Sequence, residues 1–144
     1  MTVHCEYTIE IPKSPAQVFA FLDDVARTPL WFSRCTEVEK LDPGANGLGT
    51  RLRFTVRQRG DSTGTMEGSI AGYARDQHLA FRMSDKVFEV TIDLELAAIA
   101  TGTRVAHRID VVPRGIVGKL LQPVIRRVLP AQVAIDMAKL RDAV

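Results

Sequence analysis

From Val3 to Ile11 every second residue is apolar: Val3, Cys5, Tyr7, Ile9 and Ile11 share one face, and His4, Glu6, Thr8 and Glu10 share the other. A period of two is that of a half-buried strand. Pro12-Lys-Ser-Pro15 ends it, and Ser14, Pro15 and Gln17 supply an N-cap, a first-turn proline and a capping-box partner for a short helix carrying Val18, Phe19, Phe21 and Leu22. A second short helix is predicted around 24–32, then a strand over 35–41. Asp42-Pro-Gly-Ala-Asn-Gly-Leu-Gly49 is dense with turn formers. Alternation resumes over 49–57, where Leu52, Phe54 and Val56 oppose Arg51, Arg53, Thr55 and Arg57. Arg59-Gly-Asp-Ser62 reads as a hairpin turn. Four more strands are predicted at about 65–73, 78–83, 86–96 and 102–112, joined at Asp76-Gln77, Ser84-Asp85 and Ala100-Thr-Gly-Thr103, which makes an antiparallel meander.

Only 115–144 is long and periodic enough for a large amphipathic helix. Val117, Leu120, Leu121, Val124, Ile125, Val128, Leu129, Val133, Met137 and Leu140 recur at helical spacing, with Lys119, Arg126, Arg127, Asp136, Lys139 and Arg141 mostly between them. This predicts one apolar side and one basic side. Pro123 and Pro130 each remove an amide donor and are expected to kink the helix or break it. The element order predicts an α+β domain: a curved seven-stranded antiparallel sheet wrapped around the terminal helix, with two short helices between strands one and two. A bent helix on a curled sheet is expected to leave a mostly apolar space for a small ligand.

The 144 residues make one domain, 1–144, with 46% hydrophobic residues and no linker-like stretch. The net charge of +2 argues for no polyanionic partner. Its distribution says more, because residues 114–144 hold six Lys and Arg against two Asp, whereas residues 1–113 hold 13 basic against 15 acidic. A weak membrane-surface contact is therefore one partner reading of the helix, beside a simply solvated basic face. Arg126 and Arg127 would sit mid-bilayer in any spanning window, which excludes a transmembrane helix. Cys5 and Cys35 show no metal-ligand or disulfide spacing and are read as reduced. The first residues lack the charged and apolar regions of a secretory signal, so a cytoplasmic location is expected.

Ser14-Pro-Ala-Gln-Val-Phe-Ala-Phe-Leu-Asp23 leading to Pro29-Leu-Trp31, then Gly47-Leu-Gly-Thr50, Gly102-Thr-Arg-Val105, and Pro113-Arg-Gly115 with Gly118 occur in an order that resembles the START-like (SRPBCC), pollen-allergen-related superfamily. The resemblance covers the whole chain and points to the polyketide cyclase/dehydratase and lipid-transport branch. It implies the helix-grip fold and a hydrophobic cavity between sheet and helix. It implies no catalysis, since relatives bind, carry, sense or convert apolar molecules. Trp31 reads as an anchor for the short helices, because a large ring buries much apolar area.

Strand parity and the helical stripe name the expected ligand lining: Phe54, Val56, Met66, Ile70, Phe81, Met83, Phe88, Val90, Ile92 and Val105 from the sheet, with Leu121, Val124, Ile125 and Val128 from the helix. His107 shares its face with Val105 and Ile109, the one imidazole on an apolar wall. It is a candidate general acid or base for a cofactor-free cyclase or dehydratase, a lyase or isomerase, with Tyr7 as proton donor or oxyanion partner. The alternative is a buried structural histidine, and no Asp or Glu falls on the predicted inner face of the sheet to orient the ring. Cys5 reads as an inert thiol. With His4 outward and His78 near a turn, no metal site is expected and no cofactor. Arg51, Arg53, Arg57 and Arg59 lack interleaved aromatics, so nucleic acid is not expected. Three functions remain: carriage of a lipid, polyketide or isoprenoid-like molecule, cyclase chemistry, or a membrane-surface or partner adaptor.

Overall fold

Alternation dictates most of the architecture. The computed structural model describes residues 2–58 and 60–144. The elements are β1 (Val3–Ile11), α1 (Pro15–Asp23), a 3-10 helix (Val25–Leu30), β2 (Cys35–Lys40), β3 (Arg51–Arg57), β4 (Thr63–Ala74), β5 (His78–Ser84), β6 (Phe88–Ile99), β7 (Gly102–Pro113) and α2 (Gly115–Ala143). All seven strands form one antiparallel sheet in the order β1-β7-β6-β5-β4-β3-β2. The second short helix is thus a 3-10 helix that ends before Trp31, with Pro29 inside it. Of the β3–β4 turn, Arg59 lies outside the described residues, while Gly60 takes the left-handed φ of 64° that the turn needs.

The α1 start follows its sequence signature: Gln17 N donates to Ser14 Oγ at 3.2 Å, and Ser14 N donates to Gln17 Oε1 at 3.0 Å. The β6–β7 turn is fitted against the end of β1. Gly102 has φ 146°, and a Cβ there would lie 2.1 Å from the Ile11 carbonyl oxygen. A register shift between Ile70 and Gly72 bulges β4, so Tyr73 joins the inner face and packs edge-on against Phe19 at 5.4 Å.

The structure narrows one expectation for α2 and corrects another. The helix runs unbroken through Pro123 and Pro130, so of the two outcomes expected of the prolines, a kink or a break, the break does not occur. Its apolar residues also form two faces. Leu129, Val133, Met137 and Leu140 are buried together with Asp136, whereas Val117, Leu120, Val124 and Val128 are 48–73% exposed. At about 100° per residue the buried set centres on the side opposite Leu120. The sequence holds more aliphatic positions than one stripe can use, and Arg127 falls among the outward set.

Candidate functional site

The inner face of the sheet is built by strand parity. Phe54, Met66, Ile70, Phe81, Met83, Ile92 and Val105 are buried in one cluster with Leu129, Val133, Met137 and Leu140 of α2. Val56, Phe88 and Val90 are half-buried at its edge, as is Ile125 on the helix. Leu121 is also half-buried, but Val124 and Val128 turn to solvent, away from the wall they were expected to line. The first half of α2 contributes one buried residue, Gly118, where a Cβ would stand 2.4 Å from the Val87 carbonyl oxygen.

His107 is 2% exposed. It lies directly opposite Tyr7 in the β1–β7 register and meets the edge of Trp31 at 6.4 Å between ring centres. Burial pushes its pKa down to about 4, so the ring is neutral at pH 7. Its Nδ1 is buried without a hydrogen-bond partner among the described residues. Tyr7, on an edge strand, is 37% exposed. The structure therefore puts the two candidate groups side by side, one sealed and one at the rim. Cys5 is half-buried and burial raises its thiol, while Cys35 is pushed up to about 11 by burial.

One buried acid escaped the strand-parity argument because it arrives on the helix. Asp136 is 3% exposed, and its Oδ1 accepts from Ser33 Oγ at 2.5 Å, Ser33 N at 3.2 Å and Gln132 Nε2 at 3.0 Å. Gln132 also donates to Ser33 Oγ. Arg57 Nε donates to the Ser33 carbonyl at 3.1 Å, tying the same loop to β3. This network fastens the second half of α2 to the segment after the 3-10 helix. The helical spacing from Leu129 and Val133 to Asp136 and Leu140 was the signal available for it.

A second cluster sits on the outer face. His78, Asp93 and Glu95 bring ligand atoms within 4.8 Å of one another, with His78 Nε2 3.0 Å from Asp93 Oδ1. Sequence spacing hides it because β5 and β6 pair His78 with Glu95 across the strands. Arg108 lies 2.7 Å from Glu95 and 3.9 Å from Asp93, so the carboxylates already face a cation. The outer-face arginines are likewise engaged, Arg51 by Asp42 and Arg53 by Glu39 and Glu67.

Two clefts lie away from the expected cavity. One of about 400 Å³ is lined by Lys13, Gln17, Ala20, Phe21, Asp24, Arg27, Ala143 and Val144, where α1 meets the end of α2. Another of about 400 Å³ lies between the β1–α1 link and the β6–β7 turn. Neither enters the space between the sheet and α2, whose second half is closed by the core cluster. No helix among the described residues is long and apolar enough to cross a membrane.

No curated protein matches the chain. Among solved structures it is similar to a START superfamily protein from Mycobacterium smegmatis, with 15% identity, a TM-score of 0.79, and coverage of 98% of this chain and 96% of that one. It is also similar to the Zhui aromatase/cyclase from Streptomyces sp. R1128, at 18% identity and a TM-score of 0.69 over 97% of this chain and 94% of that one. The di-domain ARO/CYC StfQ of the steffimycin biosynthetic pathway matches at 10% identity and a TM-score of 0.75, covering 98% of this chain and 50% of that one. At such identities these likenesses carry the fold. The family model described as polyketide cyclase/dehydrase and lipid transport matches residues 2–144, and the chain belongs to that family.

Proposed function

We propose that the protein binds a small hydrophobic molecule between the inner face of the sheet and the first half of α2. The observation that carries the reading is His107: a buried imidazole on an apolar wall with one ring nitrogen unpartnered. A buried polar atom left without a partner is costly, and a guest carbonyl or hydroxyl supplies what it lacks. The half-buried Phe88 and Val90 give the entry its apolar lip. From Val90 to Leu94, the partner of His107 across β6 and β7, is four residues or about 13 Å of strand, the reach of a short acyl or polyketide segment. Because His107 lies sealed within the packed interior, binding there requires the first half of α2 to lift from the sheet while the Asp136 network holds the second half.

Tyr7 opposite His107 favours a second reading, cyclase chemistry on the bound guest. A neutral imidazole with a pKa of about 4 is a weak general base at pH 7, so its fitting role is to position a carbonyl by hydrogen bonding while Tyr7 donates to the developing oxyanion. Trp31, the chain's single tryptophan, is a built-in reporter, buried against the His107 ring. Native mass spectrometry of protein from its source is expected to reveal a co-purifying apolar compound whose re-addition to stripped protein shifts Trp31 emission. His107→Gln should weaken that binding by about tenfold, the worth of one buried hydrogen bond. A clean protein mass, with no emission change on titration with fatty acids or polyketones, would remove both readings.

A further inference from the structure

The outward side of α2 is the largest feature that ligand binding does not use. Ile116, Val117, Leu120, Val124, Val128 and Ile135 are 48–80% exposed. At helical spacing they fall within an arc of about 120° and run for about 28 Å along the helix. Arg127 lies inside that arc, while the exposed Lys119 and Arg126 project about 60° and 80° beyond its edge, on the flank nearer the sheet. None of these three cations forms an ion pair among the described residues. No acidic residue occurs between Asp110 and Asp136.

We infer that this ridge docks the protein on an anionic lipid surface, with the aliphatic side chains in the headgroup-acyl boundary, Arg127 against lipid phosphates, and Lys119 and Arg126 adding to the positive field from the flank. Charge selects the occupant. A second copy docked symmetrically about the middle of the ridge would set Arg127 against its own counterpart. A protein interface of this length is expected to offer aromatic anchors and polar groups at its centre, and this convex ridge has aliphatic residues and cations only. A deformable interface carrying negative charge suits both features. The inference stands on the outward face and is independent of what the inward face binds.

The test is co-sedimentation of the full chain with vesicles of phosphatidylcholine alone and of phosphatidylcholine containing about one-third phosphatidylserine. Binding is expected to the anionic vesicles, and to weaken as salt is raised. Arg127→Gln should lower the affinity about fivefold, and Arg126→Gln by less. Leu120→Glu with Val124→Glu should abolish binding while leaving the melting temperature unchanged, since both side chains are mostly in solvent. Three results would each overturn the inference: no binding to anionic vesicles at low salt, binding that survives the Leu120 and Val124 changes, or a dimer in solution that those changes disperse, which would give the ridge to a second copy.

Discussion

Asp136 places a carboxyl group inside the core, where its three hydrogen bonds at one oxygen offset part of the desolvation. Asp136→Ala should cost about 2 to 3 kcal/mol in chemical denaturation, because it takes the acceptor from both the Ser33 amide and the Ser33 hydroxyl. His107 and Asp136 respond to acid with opposite signs. His107 has a folded pKa of about 4 against the ordinary imidazole value of 6.5. Its neutral form contributes stability that is fully present above about pH 6.5 and is lost as pH falls toward 4, to a limit of about 3 kcal/mol. Burial raises the Asp136 pKa, so its contribution is greatest at low pH and declines as pH rises through the folded value. Wild type and His107→Gln melts compared between pH 7 and 4 should isolate the histidine part; equal slopes would refute it. His107 was legible from alternation, since its neighbours two residues away are apolar. Asp136 was passed over because a charged residue in a helix is first assigned to solvent.

At the scale of elements, strand identity and order were readable because each strand has one wet face and one dry one, as Arg51 to Arg57 shows. The helix was harder. Its aliphatic residues satisfy helical spacing twice over, and periodicity cannot say which set meets the sheet. Gly118 settles it in the structure, since the helix begins flush against Val87 and Pro113. Gly118→Ala should therefore destabilise the fold by about 1 to 3 kcal/mol in urea titration, as backbone rather than a flexible side chain must give way. Pro123→Ala should act in the opposite direction. It restores an amide donor toward the Lys119 carbonyl, raises the melting temperature by an amount worth about 1 to 3 kcal/mol, and slows entry of an apolar guest followed by stopped-flow Trp31 emission. Faster entry in that variant would show that the first half of α2 is not the moving part.

For the molecule as a whole, the fold could be foreseen and the open space could not. Pattern assigns a residue to a face, but volume depends on how closely two faces approach, and the second half of α2 approaches until the core cluster fills the gap. The exposed ridge escaped for the same reason, since it follows from where the helix lands. One feature of the topology reaches beyond the finished protein. The opening strand is hydrogen-bonded only to the closing one, with Val3 facing Val111 and Ile11 facing Thr103. The five strands between them and β7 itself must therefore be made before β1 finds its neighbour. Until then an alternating, sticky strand waits in the nascent chain, its apolar side chains open to a chaperone's cover.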